Sequence, residues 1–234
     1  MTVFSTGAVR SNDCDNERWD LIPFSFIRLI ALHHKPYLYD QTLQHLFNKV
    51  ITNTYGFLSG EGDRSARLGL AGASLATIIQ KQDFEGNIQE WLYEHKGAVE
   101  RHKGELPYFF LPYYALQRLA STLKEGQVKY GEHNWTNGFP IEDILNHGIK
   151  HIHRYLNCNR DEDHLGHAMF AYMASNHMYK YRPDMCKYLL GQEYTITREI
   201  KELHDELKRK RTALKHEPSS NLGVQPRVLT GDDK

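Results

Sequence analysis

The chain has little cysteine. Cys14, Cys158 and Cys186 are its only three in 234 residues, odd in number and widely spaced. That excludes a disulfide framework and a thiolate zinc site, and it points to a reducing, cytoplasmic compartment. Long hydrophobic runs are also missing: nothing approaches the roughly 20 apolar residues that span a bilayer, so no membrane partner is expected. No basic segment followed by a hydrophobic one opens the sequence, so no signal peptide is expected. Net charge is absent, with 29 Lys plus Arg against 29 Asp plus Glu. Bulk attraction to nucleic acid is therefore not expected, and a phosphate ligand would need a local basic site. Strand-like alternation is scarce. The Gly-rich run GEGD at 60–63 has no strand before it and no Lys-Ser/Thr after it, so it reads as a plain loop rather than a phosphate cradle.

What is present is helical periodicity. Apolar residues at i, i+3, i+4 and i+7 predict helices at about 24–34, 38–54, 64–80, 85–100 and 112–129. Pro23 fits the first turn of the first of these. The clearest amphipathic face lies at 141–156, where Ile141, Ile144, Leu145, Ile149, Ile152, Tyr155 and Leu156 share one side. The helix expected from Glu162 to about Tyr179 is apolar nearly all round, which marks a buried central helix. A charged helix is expected at 191–215, and residues 216–234 read as a disordered tail. The fold class expected is mainly α.

Histidine is abundant, and its placement is uneven. Between Lys129 and His167 run KYGEHNW, HGIKHIH and DEDHLGH. Asp143, His147 and His151 recur every four residues on one helix, with Arg154 close by. Asp163 and His167 repeat that spacing on the next, with His164 on the adjoining face. Two helices joined by a short link would bring these stripes together, as in the metal sites of helix bundles. Imidazole and carboxylate bind divalent ions without sulfur. A hydrogen-bonded core is the alternative for any single His, but burying the whole set uncompensated would be costly. Positive charge for a polyphosphate could come from Arg10, Arg18, Lys129, His133 and Arg154. Tyr130 and Trp135 offer faces for a base, and Asn134 offers an amide for a base edge. For Trp135 a core role is the alternative, and for Lys129 and Arg18 a solvated one.

Taken together, Gly7-Ala8-Val9-Arg10, Arg18-Trp19-Asp20-Leu21-Ile22-Pro23, Lys129-Tyr130-Gly131 with Asn134-Trp135, then His147, and Asp161-Glu162-Asp163-His164-Leu165 resemble the phage dATP/dGTP diphosphohydrolase family, related to MazG-like all-α pyrophosphohydrolases. The resemblance implies a MazG-like helical bundle split into 1–23 and 111–190, with 24–110 as a large helical insertion. Leu111-Pro112 followed by a helix echoes Leu21-Ile22-Pro23 followed by one, as if the insertion interrupts a single element. The MazG-like E-E-x-x-E pattern is not literally present. The resemblance implies metal-dependent hydrolysis of purine deoxynucleoside triphosphates, dGTP or dATP, to monophosphate and pyrophosphate. Mg²⁺ or Mn²⁺ would serve as cofactor. It further implies a homo-oligomer, and host cytoplasm as the location if the chain is phage-encoded. In that reading Glu162 and Asp163 activate metal or water, and Asp143, His147, His151 and His167 complete the metal set. Arg10, Arg18 and Lys129 hold phosphate. Two rivals stay open: a nucleotide-sequestering protein without catalysis, and an interaction protein acting through 24–110.

Overall fold

The computed structural model describes residues 17–88 and 111–186, together with 2–3, 9–10, 90, 93 and 209. The expected helix at 85–100 falls mostly outside these residues. So do the charged helix at 191–215 and the tail. Near the N-terminus, β1 (Thr2–Val3) pairs antiparallel with β2 (Val9–Arg10). Everything else described is helix, turn or loop, as the scarcity of alternation predicted.

Among the described residues, six α-helices carry the fold: α1 (Phe24–His33), α2 (Leu43–Ser59), α3 (Arg64–Asp83), α4 (Tyr113–Tyr130), α5 (Ile141–Leu156) and α6 (His164–Tyr181). Pro23 stands just ahead of α1 rather than inside its first turn, with its carbonyl accepting from Phe26 N at 2.9 Å. Thr42 caps α2 by accepting from His45 N at 3.2 Å. The GEGD run proves to be a helix-to-helix corner. Glu61 N reaches back to Gly56 O at 2.9 Å, and Asp63 caps α3 by accepting from Ala66 N at 3.1 Å. Both devices satisfy backbone groups that a helix end leaves orphaned.

Two helix pairs form the body. α2 packs on α3, and α5 packs on α6. α6 lies centrally, touching α1, α3 and α4 as well. That explains its lack of a polar face: Leu165, Ala168, Met169, Tyr172 and Met173 are all sealed from solvent. A continuous apolar core runs from Phe26, Ile30, Leu46 and Ile78 to Leu119, Leu165 and Tyr172. Each such Leu or Ile contributes roughly 1.5–3 kcal/mol by leaving water. The Tyr172 hydroxyl, buried deep in this core, is partnered, 2.6 Å from Thr54 Oγ1. α5 meets α6 closely because position 148 is glycine; a Cβ there would stand 2.8 Å from Ala171 Cβ. No helix among the described residues is long and apolar enough to cross a membrane.

Candidate metal and nucleotide site

The short link between α5 and α6 builds the site. Cys158 adopts a left-handed backbone (φ 60°), which turns the chain sharply after α5. Asp163 then caps α6, accepting from Gly166 N at 3.0 Å. The turn folds the first residues of α6 against the last two turns of α5. His147 and His151 from α5 thereby meet His164 and His167 from α6, and Glu162 from the link stands among them. His151 and His164 are buried, while Glu162 is about one third exposed, at 37% of its side-chain surface.

The imidazoles form a chain of contacts. His147 Nε2 lies 3.0 Å from His151 Nε2, and His151 Nδ1 lies 3.1 Å from His164 Nδ1. His164 Nε2 faces Asn159 Oδ1 at 3.1 Å and Asp161 Oδ1 at 3.0 Å. A carbonyl and a carboxylate oxygen accept only, so they place the His164 proton on Nε2. Its Nδ1 lies 3.2 Å from Glu162 Oε1, and in the neutral ring with the proton on Nε2 this nitrogen carries the lone pair. His151 Nδ1 stands 3.5 Å from that same oxygen. His167 Nδ1 is buried, has no hydrogen-bond partner, and lies 3.5 Å from Glu162 Oε2. Acceptors held this close repel one another unless a proton or a cation sits between them.

Burial holds the His151 imidazole neutral. Loss of solvent pushes its pKa down to about 3, and the neighbouring His147, His167 and His164 add to the shift. His147 is also lowered, first by burial and then by His167. Neutral imidazole is the form that binds metal.

Do these residues fit a divalent ion? Atoms bound about 2.1 Å from one ion stand roughly 3.0–3.4 Å from each other. His151, Glu162 and His164 present ligand atoms within 4.8 Å of one another. Their separations of 3.1, 3.2 and 3.5 Å match that spacing closely. The orphaned His167 nitrogen at their side adds a further donor. The cluster fits.

A cleft of about 880 Å³ opens from this cluster toward the KYGEHNW segment. Its walls include His147, His151, Glu162 and His167 together with Lys129, Tyr130, His133, Asn134 and Trp135, and Arg154 also lines it. Gly131 (φ 92°) and His133 (φ 55°) bend the loop after α4 so that it closes this cleft. Arg154 Nη1 lies 3.3 Å from Glu162 Oε1. The Lys129 ammonium lies 5.2 Å from the Tyr130 ring centre. Trp135 is buried and packs edge-on against His177, while Tyr130 is well exposed. Asn134 Oδ1 accepts from Asn137 Nδ2 at 3.2 Å.

Other residues from the sequence reading stand elsewhere or do other work. Asp143 is exposed on α5 and does not line the cleft. Arg18 does not line it either: its guanidinium is held by Asp20 at 2.6 Å, Glu132 at 2.5 Å and Gln127. Arg10 lies on β2, and its side chain is outside the described residues. Asp163 borders the cleft, and its Oδ1 accepts both from the helix-cap Gly166 N and from Arg118 Nη1, 3.0 Å away. His164, Asp161 and Asn159 also stand at the cluster, although none of them is among the residues expected to bind metal or nucleotide. Their signal was weak: only contact with the neighbouring helix shows that His164, one residue after the cap, points inward.

No described residue of 24–88 lines the cleft. His33 lies against the backbone of Gly69, His34 is buried beside the Tyr39 hydroxyl, and His45 is exposed. Replacing all three with Gln should leave metal uptake unchanged. Elemental analysis of the purified variant checks this, and a stoichiometric loss of metal would relocate the site.

Residues 95–186 match the family model for the N-terminal region of dATP/dGTP diphosphohydrolases. That span contains every residue of the imidazole–carboxylate cluster and all of the cleft wall except Leu21. No curated protein and no solved structure matches the chain.

Proposed function

On a chain whose residues 95–186 carry the N-terminal module of the dATP/dGTP diphosphohydrolase family, we propose that the cleft hydrolyses purine deoxynucleoside triphosphates. Water adds at the α-phosphorus, its anhydride bond to the β-phosphate breaks, and monophosphate and pyrophosphate leave. The observation that carries this reading is the single cleft joining an acceptor-rich His–Glu cluster to a loop with cations, an aromatic face and an amide. His151, Glu162 and His164 would hold a divalent ion, with His167 beside them. When bound, such an ion polarises phosphoryl oxygens and lowers the pKa of water. An imidazole-rich set favours Mn²⁺ over Mg²⁺, which prefers oxygen ligands.

The chain's own groups do the rest. Lys129 and Arg154, which both line the cleft, bring positive charge to the triphosphate. The exposed Tyr130 ring supplies a stacking face, and buried Trp135 supports the loop from beneath. Asn134 keeps its amide N–H groups for a base edge while its oxygen is held by Asn137. Glu162 faces both the imidazoles and Arg154, so it is the group best placed to orient water beside the phosphate. Incubating the protein with dGTP and Mn²⁺ should release one pyrophosphate per nucleotide consumed. Nucleotide binding without turnover would favour the sequestering alternative.

Lys129 and Asn134 should separate by phenotype. Lys129→Ala should raise KM for all nucleotides alike, by about tenfold, because it removes a charge-assisted phosphate contact of roughly 1.5 kcal/mol. Asn134→Ala should alter the ratio of kcat/KM between dGTP and dATP. Steady-state kinetics on both substrates reads this out, and equal losses for every base would count against readout by Asn134.

A further inference from the structure

Arg118 stands on α4, outside the cleft wall, and holds two carboxylates from distant parts of the chain. Its Nε and Nη2 donate to Asp83 Oδ2 and Oδ1, both at 2.7 Å, in a bidentate clamp. Its Nη1 donates to Asp163 Oδ1 at 3.0 Å. Asp83 is the last residue of α3, and Asp163 is the cap of α6. The guanidinium is planar and directional, so it fixes both partners in orientation as well as distance.

Asp163 lies between Glu162 and His164, two of the three residues whose ligand atoms converge. Any shift of the cap moves both. A second feature locks the same point: a Cβ at Gly166 would stand 2.6 Å from Asp163 Oδ2 and 2.8 Å from Thr122 Oγ1. α6 therefore begins flush against α4, at the level where Arg118 reaches across.

We infer that Asp83–Arg118–Asp163 is a positioning bridge for the cluster. Arg118 sets where Glu162 and His164 stand by holding the cap between them, and α3 braces Arg118 through Asp83. α3 thus contributes to the site without lining it. This rests on the metal reading given above. Residues that orient metal ligands typically cost about 10- to 100-fold in metal affinity or activity when changed.

The test uses the full chain and Mn²⁺ alone, titrated by electron paramagnetic resonance, with far-UV circular dichroism alongside. Arg118→Lys keeps the charge but cannot clamp both carboxylates. It should weaken Mn²⁺ binding by about 10-fold or more while the helical spectrum is kept. Asp83→Asn, at a residue that does not line the cleft, should weaken binding in the same direction, and Asp83→Glu should restore it. If Arg118→Lys fails to fold, Asp83→Asn decides the matter. Wild-type affinity in the folded variants would overturn the bridge and leave the metal reading standing. A wild-type protein that takes up no Mn²⁺ would remove both.

Discussion

Glu162→Gln should reduce pyrophosphate release from dGTP by about a thousandfold or more, because losing a metal-facing charge removes several kcal/mol of transition-state stabilisation. Among the described residues, Glu162 is the one carboxylate close to three imidazoles at once, with separations of 3.2 Å to His164 and 3.5 Å to both His151 and His167. Gln has the same volume, so packing is preserved. The site lies in a link rather than a helix, so little helical stability depends on it. Mn²⁺ uptake should fall together with turnover. A coupled pyrophosphate assay beside thermal unfolding separates chemistry from stability. A variant that turns over dGTP within threefold of wild type would remove Glu162 from the machinery.

Acid should destabilise the metal-free protein through His151, starting well above the usual range for carboxylate titration. The folded pKa lies near 3, against an ordinary value of 6.5. Above pH 6.5 the ring is neutral in folded and unfolded chains alike, so it adds no pH dependence. Below pH 6.5 the unfolded chain takes up a proton that the folded chain refuses, and stability falls until about pH 3. One pKa unit corresponds to about 1.4 kcal/mol. The loss between pH 7 and pH 5 should therefore be about 2 kcal/mol from this residue alone. Urea unfolding at the two pH values measures it. His151→Gln should remove that component, and an identical loss in the variant would place the acid sensitivity elsewhere. Bound Mn²⁺ should offset the effect, since the ion and the proton compete for the same nitrogen.

Periodicity made most of the fold legible. The helix expected at 141–156 is α5, Ile141–Leu156, because its apolar stripe and preceding Pro140 fix both face and start. The helix expected from 162 begins at His164 instead, because Asp163 serves as cap. That difference of two residues matters. Counting Asp163 and His167 as one helical stripe treats them as equivalent, whereas the cap geometry turns Asp163 toward Arg118. Pairings across long separations were not legible. Nothing local in Arg118 announces Asp83 and Asp163, and nothing local in Arg18 announces Glu132. Such ion pairs depend on which helix ends the fold brings together, and periodicity does not specify that. The approach of His147 and His151 to His167 was legible, because a short link forces adjacent helices to be neighbours.

The central claim is that a divalent ion sits among His151, Glu162 and His164, at the end of a nucleotide cleft. Crystals grown with Mn²⁺ and a non-hydrolysable dGTP analogue, measured at the manganese absorption edge, test it most directly. The account predicts an anomalous peak within ligand distance of Glu162 and of the His151 and His164 ring nitrogens, with the triphosphate reaching toward it past Lys129. A nucleotide seated in the cleft with no peak at the cluster, or a peak elsewhere in the protein, would contradict it.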